Sequence, residues 1–151
     1  MRKLFIAAWT IALLAGPAVA SDKTDVWTVV RQFADATNKN DAKVLAPRCT
    51  VLTSIIDDFP PHVWQGASAC TDWQNAWDAF AKKNGITDDV VTLGRPLHVD
   101  VTGDRAYVVA EANFTYKQNG KRVTQRGSVW TFALQRAADG WRITGWAWAD
   151  R

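Results

Sequence analysis

The residues whose types and spacing could do chemistry are Asp57 and Asp58. These adjacent carboxylates follow the apolar run Ser54-Ile55-Ile56 and precede Phe59-Pro60-Pro61-His62-Val63-Trp64-Gln65-Gly66. Neighbouring side chains on an extended strand point to opposite faces, so the alternation predicts one acid turned inward and the other, Asp58, left to solvent or to capping. Desolvation of an inward carboxylate disfavours its charge and lifts its pKa towards neutrality, where it can take and return a proton. Asp57 is therefore the candidate general base. The competing expectation is that it accepts backbone N–H bonds and merely anchors the loop leading to Pro60. His62, past the two prolines, is expected at the rim, where an acid-base pair forms if it meets Asp57.

Other chemistries have less to build on. Asp57, Asp58, His62 and His98 show neither an H-x-H nor an H-E-x-x-H spacing, so no metal site and no cofactor are expected. No serine or cysteine nucleophile signature is present. Cys49 and Cys70 are the only cysteines, and in an exported chain pairing is the default, with two buried thiols as the alternative. Eight of the nine tryptophans lie from Trp27 onward. Trp73 and Trp77 share a helical stripe and read as core, whereas Trp146 and Trp148 share one strand face, as indoles do at flat ligands and at protein interfaces. One division gives Trp64 and Trp130 to a pocket and Trp146 and Trp148 to a dimer face; the reverse division fits equally.

The elements that must position these residues are legible from periodicity. Residues 1–20 read as a secretory signal: Arg2-Lys3, an apolar stretch from Leu4 to Ala15, and Ala18-Val19-Ala20 as a cleavage site. That leaves residues 21–151 as one domain, periplasmic or secreted, with no membrane association after cleavage. Losing Arg2 and Lys3 with the leader lowers the formal charge from +3 to about +1, and no nucleic-acid partner is expected. Val26, Val29, Val30 and Phe33 recur at helical steps over 25–38. Asp41 caps a short helix through Leu45, before Pro47, and 50–56 is a strand. A helix over 68–83 carries Cys70, Trp73, Ala76, Trp77 and Phe80 on one stripe. Strands follow over 95–101, 105–117, 122–135 and 141–148, joined by turns so short that their neighbours must be antiparallel. Ala110 and Ala112 in mid-strand leave room for a hollow, or for the bulk of Trp73 and Trp77.

This order of parts resembles the nuclear transport factor 2-like superfamily, also called SnoaL-like, and within it the ketosteroid isomerase branch. The resemblance rests on Val29-Val30-Arg31-Gln32-Phe33, on Asn38 to Asp41, on the Asp57 to Gly66 loop, on Phe114-Thr115-Tyr116 and on Gly140-Trp141-Arg142-Ile143. It implies an α+β fold in which a cone-shaped, curved antiparallel sheet wraps the N-terminal helices, with a pocket between helices and sheet and a homodimer formed through the sheet. Phe33, Trp64, Trp77, Ala112, Phe114 and Trp130 are then expected to line the pocket. The isomerases' base matches Asp57, nine residues ahead of Gly66. Their oxyanion tyrosine, however, falls on Phe33, and their second donor falls near Trp130, which argues against a steroid isomerase proper. The expected function is binding of a small apolar or ring-containing molecule, with cofactor-free isomerase, dehydratase or cyclase chemistry at Asp57. The alternative is a non-catalytic binding or assembly domain.

Overall fold

The computed structural model describes residues 16–150, with side chains from Asp22 onward. The apolar part of the expected leader, Leu4 to Ala15, lies outside the described residues. Three helices and six strands follow in the order α1 (Gly16–Asn38), α2 (Ala42–Arg48), β1 (Cys49–Ile56), β2 (Val63–Gln65), α3 (Ala69–Lys83), β3 (Ile86–Thr102), β4 (Arg105–Gln118), β5 (Lys121–Ala137) and β6 (Gly140–Ala149).

Each helix forms where its apolar stripe finds a partner. In α1, Val26, Val30 and Phe33 are fully buried. Asp41 caps α2 by accepting from the Lys43 and Val44 amides at 3.1 and 3.2 Å, which satisfies two of the donors a helix start leaves open. That helix runs on past the expected stop, with Pro47 inside its last turn. In α3, Ser68 stands at the N-cap without capping through its side chain, donating instead to Asp72. Lys82 and Lys83 sit in the last turn, where the dipole favours cations.

The strands β3 to β6 form the antiparallel meander that the short turns require. Along β4, Ala106, Val108, Ala110 and Ala112 are buried while Glu111 is exposed, as the period of two dictates. Strand β3 begins at Ile86, well before the expected Arg95. In its first half Asp88 adopts φ 53°, and register shifts after Thr87 and after Leu93 absorb the irregularities.

The sheet departs from the cone-shaped, curved antiparallel wrap. Its order is β2-β1-β6-β5-β4-β3, so β2 and β3 are open edges; it is neither curled into a cone nor closed. It is also mixed, because β1 runs parallel to β6. No hairpin joins these two strands, so nothing local imposes an antiparallel pairing, and the hidden strand β2 fills the hairpin role beside β1 instead. Close approach at this seam requires a glycine, since a Cβ on Gly145 would lie 2.8 Å from the Ser54 carbonyl oxygen. At the opposite edge Asn38 acts as a surrogate strand. Its amide donates to the Val91 carbonyl and accepts from the Val91 amide, both at 2.8 Å, which occupies backbone groups that an open edge otherwise leaves unpaired.

Phe33 is the hub of the core. Its ring lies 5.9 to 6.5 Å from those of Trp73, Trp130, Phe132 and Trp146. Cys49 and Cys70 form a disulfide, which ties the start of β1 to the first turn of α3.

Candidate active site

Strand β1 ends at Ile56, and the chain turns through Asp57 to His62 before returning as β2. The Asp57 amide donates to the His62 carbonyl and the His62 amide to the Phe59 carbonyl, both at 3.0 Å. This closes a tight loop in which His62 takes a left-handed φ of 74°. The turn aims Asp57 towards α3. Trp73, on the buried stripe of that helix, donates its indole N–H to Asp57 Oδ2 at 2.7 Å, and the Asp58 amide donates to Oδ1 at 2.8 Å.

Asp57 is buried, at 9 % exposure. Its pKa is raised from 3.8 to about 7: burial is the largest cause, the hydrogen bonds from Trp73 and the Asp58 amide oppose it, and the neighbouring Asp58 carboxylate adds to it. An exposed aspartate is fully ionised at neutral pH, whereas this one is poised between its two forms, as a general base or acid must be.

Asp57 lines a cavity of about 280 Å³ between the end of α1, α3 and the sheet, just under the roughly 300–1,000 Å³ typical of small-molecule sites. Its wall is largely aromatic, and Trp77, Phe114 and Trp130 are all part of it. Phe33, Trp64 and Ala112 are buried in the core, outside the lining. Trp146 and Trp148 face the cavity too, not an outer surface. Trp146 is only 4 % exposed, so the division that gave this pair to a dimer face does not hold.

The two acids are not sent apart as strand alternation predicts. The strand stops one residue before Asp57, so the rule no longer applies, and Asp58 also lines the cavity. Asp58, though exposed, also has a raised pKa, through partial desolvation first and then through the facing Asp150 carboxylate. Asp150 is itself held by Trp148 Nε1, Ser128 Oγ and Gln125 Nε2 at 2.9 to 3.0 Å. His62 is exposed and outside the lining, and its Nδ1 lies 3.1 Å from the backbone carbonyl of Asp57, not from the carboxylate. Among the described residues no cluster of three or more acids, histidines or cysteines has the arrangement of a metal site.

Two groups that sequence reasoning weighed otherwise complete the site. The indole N–H groups of Trp130 and Trp146 are buried and have no hydrogen-bond partner within the protein. Leaving such a donor unmade costs about 1–3 kcal/mol. Both rings border the cavity, 5.4 Å apart and nearly perpendicular, and Trp146 also packs edge-on against Trp73 at 4.8 Å. A proton acceptor, the indole that holds it and the rings of two tryptophans with partnerless donors thus border one small chamber. The Trp130 donor was visible in the sequence. The sequence leaves Trp146 open between pocket and interface, because it reaches the same chamber as Trp130 only through the pairing of β5 with β6.

No protein-family model and no curated protein matches this chain. Solved structures do. A nuclear transport factor 2-like protein with a cystatin-like fold from Novosphingobium aromaticivorans superposes with a TM-score of 0.74 at 17 % identity, over 91 % of this chain and 87 % of that one. A hexachlorocyclohexane dehydrochlorinase from Novosphingobium barchaimii gives 0.73 at 10 % identity, over 87 % and 88 %. A ketosteroid isomerase-like protein from Erwinia carotovora gives 0.68 at 14 % identity, over 89 % and 97 %. Structures of this fold thus include enzymes that act on small molecules. Among the described residues, no helix is long and apolar enough to cross a membrane. By superposition over 87 to 91 % of its length, this chain has the fold of the nuclear transport factor 2-like superfamily, to which SnoaL-like and ketosteroid isomerase-like proteins belong.

Proposed function

We propose that the protein is a cofactor-independent isomerase or lyase in which Asp57 removes a proton from a small, largely apolar ring compound. The observation that carries this reading is a buried carboxylate of near-neutral pKa opening on an aromatic cavity. Trp73 orients Asp57. The indole N–H groups of Trp130 and Trp146 are the donors available to an acceptor atom on which negative charge develops as the proton leaves, and one such donor is typically worth about 3–4 kcal/mol. His62 serves the loop through the Asp57 carbonyl. The similarity to a dehydrochlorinase supports elimination as readily as isomerisation. Deuterium uptake tests the chemistry without knowledge of the product. Cyclic ketones and halogenated rings incubated with the protein in D₂O should exchange the acidic C–H in an Asp57-dependent manner. Ring compounds that bind yet never exchange would leave the protein without this activity.

One observation favours a second reading, a binding domain without turnover. Both Asp57 oxygens already accept a hydrogen bond, as expected of a residue that anchors its loop. An Asp57→Asn variant that keeps every measurable activity would establish it.

The proposal includes export and dimerisation. The Cys49–Cys70 disulfide supports an oxidising compartment, and the mass of the recovered protein should correspond to a chain starting at Ser21. Native mass spectrometry at micromolar concentration should show a homodimer; a single monomeric species would remove that part.

A further inference from the structure

The lining of the cavity contains three carboxylates, Asp57, Asp58 and Asp89, and no lysine, arginine or histidine. None of the ion pairs among the described residues reaches any of them. Asp58 is further crowded by Asp150, a like charge, and like charges that face each other without a cation oppose ionisation. The polar groups are also sorted by depth. The partnerless donors of Trp130 and Trp146 are at the buried end, at 2 % and 4 % exposure. Asp58 is exposed and Asp89, which accepts the Trp77 indole N–H, is half-buried, so acids without a cation mark the mouth. Between the two ends the wall is made of ring faces and edges. Trp77 lies 5.5 Å from Phe114 and 5.4 Å from Phe59, and Phe114 lies 6.3 Å from Trp148. Aromatic faces attract cations through the ring quadrupole, most strongly where water is excluded.

We propose that the ligand of this cavity is an organic cation: a ring compound whose ammonium group sits at the mouth between Asp58, Asp89 and the aromatic wall, with its hydrogen-bond acceptor directed inward to Trp130 and Trp146. An anionic ligand would meet three carboxylates with no compensating charge. A neutral one would leave the acids at the mouth without a counter-charge. This inference rests on the reading of the cavity as the ligand site and adds the charge of what enters it.

Phenyltrimethylammonium, its uncharged isostere tert-butylbenzene and the anion benzenesulfonate separate shape from charge. Binding is read by calorimetry and by tryptophan emission. The cation should bind at least tenfold more tightly than the isostere, and benzenesulfonate more weakly than either. In Asp58→Asn and Asp89→Asn the ratio of cation to isostere affinity should fall severalfold. Because the ratio is taken within one protein, a partial loss of folded material does not alter it. Equal affinity for cation and isostere, or preferential binding of the anion, overturns the charge assignment while leaving the cavity as a ligand site. Failure of all three to bind overturns both.

Discussion

Helix α3 presents the same hydrogen bond twice, one turn apart. Trp73 donates to Asp57 at 2.7 Å, and four residues later Trp77 donates to Asp89 at 2.8 Å. The atoms and lengths are nearly identical, but the surroundings are not. Asp57 is buried behind β1 and the disulfide-tied start of the helix, whereas Asp89 is half-buried on the edge strand β3. An indole bond favours the charged form of the carboxylate that accepts it. What differs is desolvation, which grows with depth and at Asp57 exceeds the effect of the hydrogen bonds. Depth, not the indole bond, is what brings Asp57 within reach of proton exchange near neutrality.

The most severe way to break the comparison is to neutralise each acid in turn. Asp57→Asn should lower turnover by about 10²–10⁴-fold, the usual worth of a positioned general base, while Asp89→Asn should act on KM. Steady-state kinetics of the two variants on one substrate separate these effects, and equal losses of kcat would remove the distinction between the pairs.

The pH dependence of stability is the next largest effect. Because the folded-state pKa of Asp57, about 7, lies above its ordinary value of 3.8, the native state holds a proton that the unfolded chain has released across that window. Its contribution is therefore complete below about pH 4 and is lost as pH rises through 7, by on the order of 4 kcal/mol. The raised pKa of Asp58 acts with the same sign. Melting curves from pH 4 to 8 should show the wild type losing more stability than Asp57→Asn, with the two curves diverging as pH rises. Parallel curves would mean that Asp57 is not the group being desolvated.

Reduction of Cys49–Cys70 releases the buried pair and leaves the outer one in place. The bridge spans 21 residues, so its loss should cost about 3 kcal/mol in the chain-entropy account, read as a lower denaturation midpoint in reductant. A smaller change is expected from Trp73→Phe. This removes a bond that holds the Asp57 pKa down, so the midpoint of any Asp57-dependent activity should move to higher pH, whereas Trp77→Phe should leave that midpoint where it is.

Gly145→Ala should sharpen the picture at the seam that holds β1. Its Cβ would press on the Ser54 carbonyl, costing about 1–3 kcal/mol as overpacking does, and thermal melts would register the loss.

The sequence by itself determined the helices, the antiparallel meander from β3 to β6, the cysteine pair and the presence of an acid where an apolar strand ends. All of these follow from local signals: periods of 3.6 and 2, turn residues, and the count of cysteines in a chain that reads as exported. Tertiary structure alone decided that the sheet stays open, that β1 pairs parallel to β6, that Asn38 covers the β3 edge, and that Asp58 turns to the same cavity as Asp57. It alone brought Trp130 and Trp146 together with their donors unspent. The physical reason is that burial and convergence depend on contacts between residues far apart in the chain. Asp57 and Trp73 are 16 positions apart, and Asn38 and Val91 are 53; no periodicity within either segment encodes the meeting.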